Sequence, residues 1–171
     1  MLSQTGGACR ASNYIGMLKR ALARSGFSQI PVISLNMQGL DRQPGFELTP
    51  AFMRRIIRAL IFGDALMQCL LRVRPYEALP GAADRLVKAW QKKFIDCSSH
   101  GKFTYRTYSQ LLKHMISEFD HLPLTAEQSV KPKVGVVGEI YVKFSPIASN
   151  DIFHAIEQNG GEVEAGGLID F

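Results

Sequence analysis

Cysteine is scarce in this chain: three residues in 171, namely Cys9, Cys69 and Cys97. An odd number without a CxxC spacing excludes a disulfide framework and predicts a reducing, cytoplasmic setting. Long apolar runs are missing as well. The most hydrophobic stretch, residues 51–73, is interrupted by Arg54, Arg55, Arg58 and Asp64. Those charges are costly at a bilayer centre, so no membrane-spanning helix and no membrane partner are predicted. No basic segment followed by an apolar one opens the chain, so no secretory leader is predicted. Charge of one sign never accumulates: 20 Lys and Arg against 15 Asp and Glu give a net +5. That mild excess, without aromatic–basic interleaving, falls short of a nucleic-acid-binding arm. Internal repeats and low-complexity tracts do not occur. Neither does a P-loop, a GxGxxG fingerprint, a zinc motif or a Ser/His/Asp set. The four histidines, His100, His114, His121 and His154, show no ligand spacing.

What is present is an ordinary globular composition, 46% hydrophobic and 20% charged. A chain of this length buries well over half of the surface its unfolded form exposes. After an opening loop, Ile15, Leu18, Ala21 and Leu22 recur at helical spacing, with Ser12 or Asn13 as N-cap and Gly26 as stop. Ile30-Pro31-Val32-Ile33-Ser34-Leu35 reads as a short buried strand. Thr49 and Pro50 then supply the N-cap and first-turn proline of a helix that runs to Arg74, because Pro75 cannot continue it. Its phase sets Arg54, Arg58, Gln68 and Arg72 on one stripe while apolar residues fill much of the remainder, which predicts a helix covered on more than one side. Two amphipathic helices follow, one holding Leu86, Val87, Trp90 and Phe94, the other Tyr108, Leu111, Met115 and Phe119, with a turn over 98–102 between them. A polar connector over 121–132 leads to Val134-Gly135-Val136-Val137-Gly138-Glu139-Ile140, predicted as a buried strand. Asn150-Asp151 opens a helix that Asn159-Gly160-Gly161 closes, and Glu162-Val163-Glu164 begins another strand, making a βαβ unit with parallel strands.

The pattern therefore predicts an α/β fold, a parallel-sheet Rossmann- or flavodoxin-like layer with a helical insertion. Residues 1–48 form the first part of the layer, 49–120 the helical insertion or subdomain, and 121–171 the second part. The chain starts in a loop and stops just past a sheet element, so it reads as a fragment of a longer polypeptide.

Three places can carry chemistry. Gly6-Gly7-Ala8-Cys9 precedes a helix, where backbone N–H groups and the helix dipole favour an anion and lower a thiol pKa. Cys9 is thus the better metal-ligand candidate of the three cysteines, although a small buried residue at a tight turn has the same spacing. One cysteine cannot hold an iron–sulfur cluster, so further ligands would come from outside the chain. Secondly, Glu139 and Lys143 stand in the loop leaving a strand's carboxyl end, where open α/β sheets gather ligands; pairing with each other or facing solvent would equally account for them. Thirdly, Asp64 lies at the margin of an apolar sector and calls for a partner, Arg72 or another arginine. The basic residues Arg54, Arg55, Arg58, Arg72 and Arg74, with Lys88, Lys92 and Lys93, form either a solvated face or a surface for an anionic partner.

Taken together, Gln4-Thr5-Gly6-Gly7-Ala8-Cys9-Arg10-Ala11-Ser12-Asn13-Tyr14, Ile30-Pro31-Val32-Ile33-Ser34-Leu35-Asn36 and Lys131-Pro132-Lys133-Val134-Gly135-Val136-Val137-Gly138-Glu139-Ile140-Tyr141-Val142-Lys143-Phe144 resemble the dehydratase-like portion of acyl-CoA dehydratase activase-related proteins. Phe62-Gly63-Asp64 and Arg72-Val73-Arg74-Pro75-Tyr76-Glu77 fit the same family. Ala8 stands where the family pattern suggests another glycine. In that family this portion follows ATPase domains of the 2-hydroxyglutaryl-CoA dehydratase activator type and is similar to the dehydratase D-component. The resemblance implies an anaerobic electron-transfer role, in which ATP drives an electron onto a low-potential 4Fe-4S cluster and a dehydratase uses it on a 2-hydroxyacyl-CoA. It implies Cys9 as a cluster ligand, Gly6, Gly7, Glu139 and Lys143 as cofactor-binding residues, acyl-CoA as a possible ligand, and an ATPase activator among the other domains of the parent chain as partner. The chain by itself is expected to have neither ATPase nor dehydratase activity. Two other functions fit the residues: a non-catalytic docking or scaffold domain whose basic helix binds an acidic partner, and an α/β module that binds coenzyme A through Gly6-Gly7.

Overall fold

The computed structural model describes residues 2–4, 13–32, 34–36, 49–99, 103–125 and 130–169. The chain divides into two compact units, Met1–Leu48 and Thr49–Phe171.

In the first unit, β1 (Leu2–Gln4) and β2 (Ser34–Asn36) pair in parallel, Leu2 opposite Ser34 and Gln4 opposite Asn36. Between them in the chain runs α1 (Tyr14–Arg24), with Asn13 at its N-cap and Ile15 buried. Gly26 ends it at φ +80°, a conformation only glycine adopts without strain. Two expectations are corrected here. In place of the expected opening loop, Leu2–Gln4 forms a strand. The strand expected to begin at Ile30 lies later in the chain, at Ser34–Asn36. The Ile30 N–H is taken by a turn to the Phe27 carbonyl, and Pro31 has no N–H to give to a ladder.

In the second unit, α2 (Pro50–Val73) begins as its sequence dictates, with the Thr49 hydroxyl accepting from the Phe52 N–H at 3.2 Å. A 3₁₀ turn over Arg74–Tyr76 follows, then α3 (Ala82–Ser99) and α4 (Tyr105–Asp120). The Glu77 carboxylate accepts from the Gly81 and Ala83 N–H groups and so closes the start of α3. The three helices bury one core around Phe62, Leu66, Trp90, Met115 and Phe119. The opposite side of α2 carries Leu71, which packs with Val163 and Ala165 beside Val136, Phe153 and Ile156. α2 is therefore covered on two sides, as its phase predicts.

The remaining elements are β3 (Lys133–Gly135), α5 (Ile140–Phe144), α6 (Ile152–Gln158) and β4 (Glu162–Glu164). β3 and β4 pair in parallel, Lys133 opposite Glu162 and Gly135 opposite Glu164. The buried strand expected over 134–140 is corrected: only three residues pair, and all three are exposed. Gly138 at φ +155° turns the chain out of the strand, and Glu139 caps a helix instead. The class is thus mixed α and parallel β, with helices predominating. Among the described residues, no helix is long and apolar enough to cross a membrane.

Candidate functional site

The chain leaves β4 as Ala165-Gly166-Gly167-Leu168-Ile169, and three side chains from other elements hold it. From α2, Gln68 Nε2 donates to the Ala165 carbonyl at 2.7 Å. One turn earlier on the same helix, Asp64 accepts from the Leu168 N–H at 3.0 Å and the Ile169 N–H at 2.8 Å. From the far end of α5, Lys143 Nζ donates to the Gly166 carbonyl at 2.9 Å and lies over the Phe144 ring. Glu139, at the other end of α5, accepts from the Val142 N–H at 3.1 Å. An open cleft of about 280 Å³ lies at this strand end, lined by Ile61, Asp64, Gln68, Gly167 and Ile169 among others.

These contacts position backbone, and none of them sets a nucleophile beside a base. Lys143 keeps N–H donors beyond the one given to Gly166. Its ammonium thus supplies positive charge next to the carboxyl end of a parallel pair, the place where an anionic group is best received. Asp64 is corrected from its expected arginine partner: backbone N–H groups satisfy it, because α2 passes within reach of the segment after β4. Glu139 and Lys143 do not pair with each other; each serves a different backbone group.

A second set of polar contacts ties the end of α2 to the same βαβ unit. Arg74 Nε meets Glu157 at 2.7 Å, with both side chains 10% exposed, and a further nitrogen reaches Asp84 at 3.2 Å. Burial works against the Arg74 charge, but the hydrogen bond and charge of Glu157, joined by Asp84, outweigh it and hold the guanidinium above its usual pKa. The Tyr76 hydroxyl donates to Glu162 at 2.7 Å and accepts from the Lys131 N–H. The Glu162 hydrogen bond, with burial, pushes the Tyr76 pKa up. Arg74, expected in a solvated basic face or a surface for an anionic partner, is instead held by Glu157 and Asp84. Arg74 and Glu157 lie 83 residues apart, so no local spacing joins them. The one signal for Gln68 was its place in an otherwise arginine stripe.

Gly6, Gly7 and Cys9 lie outside the described residues. The fit of the described thiols to an iron–sulfur cluster can be tested directly. Cys69 and Cys97 are half-buried on α2 and α3 and pack against the helical core. Burial, and secondarily Asp120, push the Cys69 thiol up despite Arg72, which keeps it protonated rather than as the ligating thiolate. Among the described residues no group of three or more His, Cys, Asp or Glu side chains could hold a metal ion. Cys69 and Cys97 therefore do not fit as cluster ligands. Comparison of the chain with protein-family models, curated proteins and solved structures finds no match.

Proposed function

We propose that this chain is a dehydratase-like domain of an ATP-coupled, iron–sulfur, 2-hydroxyacyl-CoA dehydratase activase-type protein, and that it serves low-potential electron transfer in the cytoplasm. The finer fold that goes with this reading is a Rossmann- or flavodoxin-like layer carrying α2 to α4 as its helical insertion. The observation that carries the reading is a convergence. Lys131 to Phe144, on which the resemblance rests, and Phe62-Gly63-Asp64, which fits it, supply Lys143 and Asp64, the side chains that hold the segment leaving β4, while Arg72 to Glu77 supplies Arg74 and Tyr76, which tie α6 and the opposite end of β4 to α2. Stretches far apart in the chain that meet where β4 ends are what a site at a strand's carboxyl end requires.

In this reading Cys9 contributes one thiolate, the Gly6-Gly7 loop and the Glu139–Lys143 segment receive the anionic parts of a ligand such as acyl-CoA, and other domains of the parent chain supply the ATPase and the remaining cluster ligands. The test is iron and sulfide loading of the full parent polypeptide without oxygen, read as thiolate-to-iron charge-transfer absorption and iron content. Cys9→Ser is expected to lower both, whereas Cys69→Ala and Cys97→Ala leave both unchanged. Unchanged loading in Cys9→Ser removes Cys9 from the site, and a parent protein that takes up no cluster overturns the reading.

A further inference from the structure

A groove runs between α2 and α3, and it measures about 500 Å³. One wall is the row Ala59, Gly63 and Met67 on α2; the other is Val87, Gln91 and Ile95 on α3. Each row steps by four residues, so the groove lies between two i±4 ridges about 12 Å long, the surface into which a third helix packs its own ridge. Phe62 and Phe94, stacked at 4.4 Å, form its floor. Small residues on the α2 wall permit close approach, and a Cβ added at Gly63 would meet nothing within 4 Å. Beside the groove α2 stays apolar and uncovered, with Ile57 48% and Leu60 37% exposed, and Ile95 on α3 is 59% exposed. Apolar side chains concentrated in this way mark an interaction surface.

Charge on the rim identifies the occupant. Lys88 and Lys92 follow Val87 and Gln91 on α3 and are exposed, and exposed Arg55 lies one turn before Ala59 on α2. Among the described residues no carboxylate lines the groove; Asp84 is bound to Arg74, and Asp96 has an interaction of its own. We infer that this groove docks an amphipathic helix of a partner protein whose apolar ridge is flanked by aspartate or glutamate. The apolar ridge fills the groove, and the carboxylates meet Lys88, Lys92 and Arg55. The inference does not depend on the iron–sulfur reading, since neither Cys9 nor the strand end takes part.

The test uses two labelled synthetic helical peptides with the same leucine ridge, one flanked by glutamates and one by lysines, titrated with the 171-residue chain and read by fluorescence anisotropy. The glutamate peptide is expected to bind at least about tenfold tighter at low salt, a margin that narrows as salt is added. Lys88→Glu with Lys92→Glu, both at exposed positions, is expected to reverse the preference. Gly63→Leu fills the groove and is expected to weaken the glutamate peptide about tenfold or more, with the circular dichroism unchanged. Equal binding of the two peptides, no binding, or a preference indifferent to the lysine reversals overturns the proposal even if Gly63→Leu fails to fold. A concentration-dependent dimer that Gly63→Leu abolishes would give the groove to a second copy and overturn it too.

Discussion

Asp64 and Gly167 approach each other so closely that a Cβ on the glycine would stand 2.5 Å from the Asp64 Cγ. The absence of a side chain at 167 is what lets the carboxylate reach the two following N–H groups. Asp64→Ala is expected to cost about 0.5–1.5 kcal/mol in urea unfolding, the net worth of a hydrogen bond where water can take over the freed donors. Gly167→Ala should be destabilising as well, because it forces the same contact open. The two together should cost less than the sum of the singles, and strict additivity would show that the residues act separately. An acidic residue at the edge of an apolar sector already called for a partner. That the partner is backbone more than a hundred residues later was not legible, because nothing local encodes it.

At the scale of elements, the turn ending α2 links the helices to the βαβ unit. Tyr76 and Arg74 both reach across it, to Glu162 and Glu157. The Arg74–Glu157 pair is well buried, and breaking such a pair costs more than the pair itself contributes, since one charge is left without a partner. Tyr76 gives the link a pH signature. Its folded pKa lies above the ordinary value of 10.0, so its contribution is complete below about pH 10 and is lost as pH rises through the folded pKa. Tyr76→Phe is therefore expected to lower stability at neutral pH and to flatten the alkaline decline, as measured by denaturant midpoints between about pH 8 and 11. A decline of unchanged steepness would place the titrating group elsewhere. The beginnings of elements were the legible part: Thr49 and Pro50 start α2 where helix-capping chemistry puts them. Strand extents were not, because a run of valines around Gly135 and Gly138 reads as strand until a glycine φ of +155° and a glutamate cap convert it to helix.

At the scale of the whole molecule, the two hydrophobic clusters found among the described residues fall within residues 49–171. That segment holds the three-helix core, the packing of α2 on β4, and the Arg74 and Tyr76 links. Residues 49–171 expressed alone are accordingly expected to retain helical circular dichroism and a single cooperative thermal transition. A broad, non-cooperative melt would show that residues 1–48 are needed to complete a core.

Local chemistry was enough to specify the long helices, the Thr49–Pro50 start of α2 and the two-sided burial of that helix, because each depends on neighbours within a turn or on a simple period; of the two parallel strand pairs it indicated only that of β3 with β4. The partners of Asp64, Gln68, Arg74 and Tyr76, and the groove between α2 and α3, came into view only with the folded chain. Hydrogen bonds and ion pairs between residues 80 to 105 positions apart depend on where helices and strands come to rest against one another, and no sequence period records that arrangement.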